Sequence, residues 1–253
     1  MSKPTIGLIG FGTIGQYIYK HLKEELDFKF IYDVQAPQEA SLASLYVNSK
    51  EALAAKCAGG VQLVVECAVA GALVDLTPTV LKYSDLLAFS VTAFAEDSFR
   101  KQVEELCDQY SRRFYVPHGA ILGLDGIGDA KDILESVTIT TTKRPKNLGR
   151  TDTARVVAYE GPTRGACKLF PRNVNVHAGI ATAGLGFDKT CSKIVSDPAS
   201  SGNHHEIEVL ASGCKFKIEV ESVPGAGVTG AYTPVSACSA IRRILLAKGI
   251  VTI

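Results

Sequence analysis

Short apolar segments alternate with segments of helical periodicity through the first half of the chain. Strands are predicted at 5–9, 28–32, 61–67, 86–91 and 114–116. Ile14, Ile18, Leu22 and Leu26 recur on one face of a helix that follows the first strand, and further helices are predicted at 71–83 and 96–110. Residues 34–49 show no clear period. Because strand and helix alternate up to about residue 117, the pattern predicts a doubly wound parallel sheet with helices on both faces, an α/β fold.

The pattern changes in the second half of the chain. Strands with one polar face are predicted at 136–142, 154–159, 205–211 and 215–221, interrupted by short helical stretches near 165–170 and 176–185. This is typical of an α+β domain. A last helix, at about 233–248, is apolar on one side and is predicted to return to the first domain. We therefore predict a dinucleotide-binding domain at 1–117, completed by 232–253, and a substrate and catalytic domain at 118–231.

Composition excludes several classes of protein. Of the 253 residues, 46% are hydrophobic and 21% are charged, which excludes a disordered chain. The 27 Lys and Arg residues balance 26 Asp and Glu residues, and no basic tract occurs, so no nucleic-acid partner is expected. No apolar run approaches the ~20 residues of a membrane span, and the first residues lack the pattern of a signal peptide. A small-molecule substrate is expected instead.

The cysteines and histidines do not predict a metal site. Seven cysteines are scattered along the chain without a CxxC pair, which indicates reduced thiols and a cytoplasmic protein. The five histidines lack the spacing of zinc ligands. We therefore expect no metal cofactor.

A glycine-rich motif follows the first predicted strand. It is GFGTIG, formed by Gly10, Phe11, Gly12, Thr13, Ile14 and Gly15. Gly10 is expected to make a tight turn, Gly12 to let a pyrophosphate approach the backbone, and Gly15 to let the helix pack closely on the strand. The helix that begins here offers unpaired N–H groups to the phosphates. A glycine-rich turn without a ligand is the alternative, but the strand before and the helix after favour a dinucleotide site.

Asp33 ends the second predicted strand, 18 residues after Gly15. A carboxylate at this position accepts hydrogen bonds from the adenosine ribose and repels a 2′-phosphate, which favours NAD over NADP. The three residues that follow include no Arg or Lys to hold such a phosphate. NADP remains the alternative cofactor, and a simple turn aspartate remains the alternative for Asp33. Cys67 and Ala68 end the third strand, at the sheet edge where the cofactor is expected.

Proton transfer needs a titratable side chain, and His205 is the candidate in the second half. It begins the alternating strand in which Ile207 and Val209 face inward, so His205 is predicted to face inward and His204 to face solvent. The pKa of a free histidine, about 6.5, suits a proton acceptor near neutral pH. A structural histidine without chemistry is the alternative.

These motifs together resemble the L-aspartate dehydrogenases over nearly the whole chain. The resemblance is carried by GFGTIG, VVECA at 64–68, S-x-T-A-F-A at 90–95, HGAILGLD at 118–125, TTKRPKNLG at 141–149, LFPRNVNVHAG at 169–179 and DP-x4-NHHEI at 197–207. It implies a Rossmann domain joined to an α+β domain, a homodimer and a role in NAD biosynthesis. It also implies that His205 is catalytic and that Ala120 and Asn175 contact the cofactor. Residues 225–230 depart from the family pattern, which puts the substrate in question.

The resemblance implies that L-aspartate is oxidised to oxaloacetate and ammonia through iminoaspartate, with hydride passing from Cα to the nicotinamide. The two substrate carboxylates need cations. The basic residues near the predicted site are Lys143, Arg144, Lys146, Arg150, Arg164 and Arg172. Among them Lys143 and Arg172 are the favoured contacts, with Asn173 holding the substrate or its loop.

Two other functions fit the same architecture. The first is an imine reductase resembling dihydrodipicolinate reductase, a family that also joins a Rossmann domain to an α+β domain. The second is a non-catalytic dinucleotide-binding protein, which only the altered segment 225–230 favours. Turnover of oxaloacetate with ammonia separates both of these from an aspartate dehydrogenase.

Overall fold

The computed structural model describes residues 2–222 and 231–250 of the chain. It divides into two compact units. The first comprises the residues up to Pro117 together with those from Pro234 onward, and the second comprises His118–Thr233. The segment 225–230, where the sequence departs from the family pattern, lies outside the described residues.

The first unit is built on a six-stranded sheet in which every strand pairs parallel to its neighbour. Its elements before residue 118 are β1 (Thr5–Ile9), α1 (Thr13–Leu22), β2 (Asp27–Tyr32), β3 (Tyr46–Val47), α2 (Lys50–Ala58), β4 (Leu63–Glu66), α3 (Ala70–Leu81), β5 (Asp85–Ala88), α4 (Asp97–Tyr110) and β6 (Phe114–Tyr115). The strand order is β3-β2-β1-β4-β5-β6. This is the order of a Rossmann sheet, so the predicted fold class is confirmed.

Helix α8 (Tyr232–Leu245) forms one side of the hydrophobic core of the first unit. Ala237, Cys238 and Ile241 pack in one cluster with Ile6 and Leu8 of β1. Spacings of three and four residues place these side chains on a single helix face. The predicted return of the last helix to the first unit is therefore confirmed.

Helix α2 was not predicted. Its sequence, KEALAAKCA, is rich in alanine and buries only Leu53 and Cys57, so the hydrophobic period is weak. The capping residue gives the stronger signal, because the Ser49 side chain accepts a hydrogen bond from the N–H of Ala52 (3.2 Å).

The second unit holds a five-stranded mixed sheet with order β11-β10-β7-β9-β8. Its elements are α5 (Leu124–Asp129), β7 (Leu134–Lys143), β8 (Val156–Pro162), α6 (Thr163–Leu169), α7 (Asn175–Ala183), β9 (Cys191–Ser196), β10 (His204–Ala211) and β11 (Cys214–Glu221). Strands β7 and β9 are parallel and the other pairs are antiparallel. The α+β prediction is confirmed, although α5 and β9 were not predicted.

The inner face of this sheet changes from apolar to polar along β7. Val137 and Ile139 are buried in the core, and Thr141 and Lys143 continue the same buried face to the end of the strand. In the adjacent strand, His205 pairs with Thr141. The alternation predicted for this strand is confirmed, because His205 is buried while His204 is partly exposed. Buried polar side chains therefore lie at one end of an apolar layer.

In the described ranges, no helix combines the length and apolar character that crossing a membrane requires. The same ranges contain no group of three or more His, Cys, Asp or Glu side chains arranged to hold a metal ion.

Candidate active site

The glycine loop of the first unit has the geometry that its spacing predicts. Gly10 has a φ of +91°, and a Cβ there would lie 2.8 Å from the carbonyl oxygen of Cys67. A Cβ on Gly15 would lie 2.3 Å from the carbonyl oxygen of Gly10, so only glycine allows α1 to pack this closely on the loop. A Cβ on Gly12 would meet no atom within 4 Å. The space beside Gly12 is thus open to a ligand.

Helix α1 begins in a way that suits an anion. Gly12 is its N-cap, no side chain caps its first turn, and no acidic residue lies in that turn. The N–H groups of the first turn of a helix carry a partial positive charge. Together with the open space beside Gly12, they fit the pyrophosphate of a dinucleotide, which the first turn with Thr13 and Ile14 would bind through its backbone.

Asp33 connects the end of β2 to the glycine loop. One of its carboxylate oxygens accepts a hydrogen bond from the Phe11 N–H (2.7 Å), and the other accepts one from the Gln35 N–H (3.1 Å). Each oxygen retains a lone pair that a ribose hydroxyl could use. The carboxylate therefore holds the glycine loop in place and can still accept hydrogen bonds from a ligand. The first of these roles could not be predicted from the sequence spacing.

A cavity of about 680 Å³ lies beside Asp33 in the first unit. It is lined by Phe11, Gly12, Gln16, Tyr19, Lys20, Lys23, Asp33, Leu42 and the segment 35–39. Sequence reasoning missed Lys20 and Lys23 as lining residues. Their signal was available, because with Gln16 they follow the polar face of α1 at intervals of four and three residues.

Cys67 and Ala68 lie where β4 ends, and Glu66 holds this edge together. The carboxylate of Glu66 accepts hydrogen bonds from the Ala68 N–H (2.8 Å) and from both the N–H (3.0 Å) and the hydroxyl (2.7 Å) of Ser90. Burial raises the pKa of Glu66, and the bonds from Ser90 oppose that rise. The Cys67 thiol donates to the Gly10 carbonyl (3.2 Å), and burial raises its pKa. Cys67 therefore supports the loop and is not a reactive thiolate.

In the second unit, three elements bring polar side chains to His205. The Nδ1 atom of His205 lies 2.8 Å from the hydroxyl oxygen of Thr141 in β7. That oxygen lies 2.6 Å from Nε2 of His177 in α7. All three side chains are at most 3% exposed. Sequence reasoning missed Thr141 and His177, although the alternation along β7 puts Thr141 on the buried face.

Both histidines are neutral. Burial, followed by the positive charge of Lys143, lowers the pKa of His205 to about 3. Burial, followed by His205 and Lys143, holds the pKa of His177 well below its usual range. The pKa of His205 in the unliganded protein therefore lies below the value of a free histidine, because the fold removes the water that would stabilise the imidazolium. A neutral imidazole has one ring nitrogen free to accept a proton, and in this site a nearby negative charge is needed to favour that protonation.

Lys143 is a buried cation at the polar end of β7. Its ammonium donates a hydrogen bond to the carbonyl oxygen of Asn173 (3.1 Å), and the residue is 6% exposed. Burial lowers its pKa to about 8. No carboxylate in the described part of the chain forms an ion pair with it. A buried ammonium without a counter-charge is suited to an anionic ligand.

Two of the predicted cations are already paired. Arg150 forms two hydrogen bonds with Asp152 (2.6 and 2.9 Å), and Arg164 forms two with Asp188 (2.6 and 2.7 Å). These bidentate pairs engage the Nε and Nη2 donors of each guanidinium group, so much of the positive charge of both residues is already compensated.

The remaining predicted site residues lie in loops and turns. Arg144, Lys146 and Arg172 are exposed. Ala120 lies in the turn after Gly119, whose φ is +61°. Asn175 is the first residue of α7. The structure thus brings Lys143 together with Asn173, and it leaves Arg172 on an exposed turn beside Asn173.

Relatives named L-aspartate dehydrogenase match nearly the whole chain. L-aspartate dehydrogenase of Methanococcoides burtonii is 34% identical over 94% of this chain and 96% of its own length. A family model described as aspartate dehydrogenase, C-terminal, matches residues 125–244. The chain belongs to the L-aspartate dehydrogenase family. The predicted resemblance to the L-aspartate dehydrogenases is confirmed.

The fold of the L-aspartate dehydrogenase family extends over both units. The crystal structure of aspartate dehydrogenase from Thermotoga maritima is 29% identical, covers 99% of this chain and 100% of its own, and gives a TM-score of 0.81. The model described as homoserine dehydrogenase, NAD binding domain, matches residues 10–117. The first unit is accordingly an NAD-binding domain of an oxidoreductase.

A dihydrodipicolinate reductase from Paenisporosarcina sp. TG-14 also resembles the chain, with a TM-score of 0.52 and 12% identity, covering 99% of this chain and 97% of its own. At this identity the likeness shows the shared fold alone.

Proposed function

We propose that this protein catalyses the NAD(P)-linked oxidative deamination of L-aspartate to oxaloacetate and ammonia. The proposal rests on two neighbouring features of the second unit. Lys143 is a buried cation without a carboxylate partner among the described residues, and His205 is a buried, neutral imidazole. Both lie at the polar end of the same sheet face. Family membership supports the substrate, since the relatives are named L-aspartate dehydrogenases. In this proposal the first unit holds the dinucleotide and the second holds the substrate.

Lys143 binds one carboxylate of aspartate. The ammonium is shielded from water, with Lys143 only 6% exposed, so the attraction is stronger than it would be in water. Arg172 and the Asn173 side chain are proposed to contact the second carboxylate from the turn before α7. Ala120 and Asn175 are proposed as cofactor contacts on the family's pattern.

His205 accepts protons in the reaction. The amino group of aspartate must be neutral before the bond between Cα and hydrogen breaks and the C=N bond of iminoaspartate forms. The bound nicotinamide supplies the acceptor for the hydride. Water then adds to the imine carbon while His205 takes one of its protons. The imidazolium returns that proton to the nitrogen of the carbinolamine, and the C–N bond breaks as the C=O bond forms and the hydroxyl proton is lost to solvent. Ammonia and oxaloacetate then leave. A dianionic substrate raises the pKa of His205 from its unliganded value, because a nearby negative charge stabilises the imidazolium.

Two experiments test the proposal: an assay of which substrates NADH consumption requires, and a substitution of His205. NADH consumption should require both oxaloacetate and ammonia. His205→Ala should lower kcat by roughly 100- to 10,000-fold, the range for loss of a general base, with little change in NADH affinity. Steady-state kinetics and NADH fluorescence titration measure the two quantities.

His204→Ala is the matched control, because the neighbouring imidazole lies on the other face of β10 and is partly exposed. Full turnover by His205→Ala would show that the assigned role is wrong. Turnover of a cyclic imine instead of oxaloacetate would favour the reductase alternative, and cofactor binding without any turnover would favour a binding protein.

The preferred cofactor in this proposal is NAD. Asp33 supports it through its negative charge beside the cavity of the first unit. Lys20 and Lys23 line the same cavity and provide the charge that a 2′-phosphate would need, which keeps NADP as the alternative. Comparing kcat/KM for NADH and NADPH decides between them.

Assembly and location belong to the same proposal. A homodimer follows from the family pattern, and light scattering measures it. A cytoplasmic location is supported by seven cysteines that are all free thiols. A role in NAD biosynthesis follows from iminoaspartate as an intermediate, and complementation of a strain that lacks another source of this imine would test it.

A further inference from the structure

A chain of hydrogen bonds extends from His205 through the second unit to a backbone carbonyl. Beyond Thr141 and His177, Nδ1 of His177 lies 2.9 Å from the Ser192 hydroxyl oxygen. That oxygen lies 2.7 Å from the Thr163 hydroxyl oxygen, which donates to the carbonyl oxygen of Thr190 (3.0 Å). We call the side chains of Thr163, Ser192, His177 and Thr141 the relay. Each of the four is 0% exposed.

The carbonyl at the far end sets the direction of every bond. A carbonyl oxygen can only accept, so the single hydroxyl proton of Thr163 is used on Thr190. The bond between Thr163 and Ser192 then requires the Ser192 hydroxyl to donate. Because its proton is now used, Ser192 must accept from Nδ1–H of His177.

The same rule continues to His205. Neutral His177 carries one N–H, at Nδ1, so its Nε2 is an acceptor and the Thr141 hydroxyl donates to it. The Thr141 oxygen therefore accepts from Nδ1–H of His205. Neutral His205 then has a bare Nε2, and this atom has no hydrogen-bond partner among the described residues.

The opposite direction makes one bond fewer. It would require the Thr163 hydroxyl to turn from the Thr190 carbonyl to Ser192, and each later donor would become an acceptor. His205 would then carry its proton on Nε2 and could not accept another there. The hydrogen bond from the Thr163 hydroxyl to the Thr190 carbonyl thus decides whether Nε2 of His205 is free to accept a proton.

We propose that the relay residues Thr163, Ser192, His177 and Thr141 are positioning residues that hold His205 in the Nδ1–H tautomer and present Nε2 as the proton acceptor. The proposal rests on the proposed role of His205 in the reaction. None of the four was predicted from the sequence as a site residue. They come from four separate elements, β7, β9, α6 and α7, which no local pattern connects.

Thr163→Val tests the proposal at the far end of the relay. Valine matches threonine in shape but offers no oxygen, so a Ser192 hydroxyl that kept its direction would be a buried donor without an acceptor. Reversal gives the Ser192 hydroxyl, the His177 N–H and the Thr141 hydroxyl one acceptor each, and His205 should change to the Nε2–H tautomer. Nitrogen NMR of labelled histidine, assigned with His205→Ala, should show the protonated and bare ring nitrogens exchanged. At the same time kcat should fall at least about tenfold, with KM for NADH within about twofold.

Two variants separate this effect from general damage. Thr163→Ser restores the hydroxyl and should restore both the tautomer and kcat. Thr182→Val removes a different hydroxyl, which donates to the Ala178 carbonyl (2.7 Å), and should leave both unchanged. If Thr163→Val does not fold, Thr163→Ala removes the same oxygen without adding a branch.

The outcomes distinguish the two proposals. A wild-type His205 in the Nε2–H tautomer, or an unchanged tautomer in folded Thr163→Val and Thr163→Ala, would overturn the relay. A reversed tautomer with unchanged kcat would uphold the relay and overturn the role of His205 as base.

Discussion

At the scale of single residues, Lys143 shows how the fold buries a positive charge and leaves it without a negative partner among the described residues. Most buried lysines in proteins are paired, yet this ammonium meets only the Asn173 carbonyl among the described residues. The cost of its desolvation appears as a pKa lowered to about 8. An anionic ligand would recover that cost, since the charged form gains a partner.

The affinity for a dicarboxylate should therefore fall at high pH, where Lys143 loses its proton. Protonated Lys143 binds the anion, so affinity is full below about pH 8 and falls as pH rises through that value in the unliganded protein. Succinate is the probe, because neither of its carboxyl groups titrates in this range. Lys143→Met should weaken succinate inhibition by roughly 10- to 100-fold and remove the pH limit, the effect of losing a hydrogen bond to a charged group.

Lys146→Met serves as the matched control, since Lys146 is an exposed lysine three residues further along. It should change neither the affinity nor the pH profile. A normal pH limit in Lys143→Met would assign that limit to another group, and normal succinate affinity would remove Lys143 from the substrate site.

At the scale of elements, the strands with strong patterns were predictable and the weakly patterned elements were not. Strand β4 is buried at every position and reads as an apolar run, whereas β9 has the sequence CSKIVS, in which Ser192 and Lys193 interrupt the pattern. Yet β9 carries Ser192 into the relay. The predicted His205 was found from alternation within one strand, but its partners come from other elements, which no local period connects.

The glycine loop allows an element-scale test with two similar substitutions. Gly12→Ala places a methyl group in open space, so stability should change little. Cofactor affinity should fall at least about tenfold, because the methyl group would occupy the space proposed for the pyrophosphate. Gly15→Ala places it 2.3 Å from the Gly10 carbonyl and should destabilise the first unit by roughly 1–3 kcal/mol.

Urea unfolding and NADH titration measure the two effects separately. Each variant is the control for the other, since both add one methyl group to the same motif. Unchanged NADH affinity in Gly12→Ala would contradict a pyrophosphate beside Gly12, and unchanged stability in Gly15→Ala would contradict the close packing of α1.

At the scale of the whole molecule, the chain leaves the first unit at residue 117 and returns to it with α8. The returning helix is held in two ways. Its apolar face joins the cluster around β1, and Arg242 forms a bidentate pair with Glu25, which lowers the pKa of that carboxyl. The pair is partly exposed and contributes at most about 1 kcal/mol, so the apolar contacts are the main attachment.

Ile241→Ala should accordingly destabilise the first unit by roughly 2–5 kcal/mol, because a fully buried isoleucine leaves a cavity when it is truncated. Val235→Ala, at an exposed position of the same helix, should cost less than about 0.5 kcal/mol. Hydrogen exchange locates the effect, and the amides of β1 and α1 should lose protection in Ile241→Ala. Equal effects of the two substitutions would mean that α8 does not complete this core, and the first unit would then depend on residues 2–117 alone.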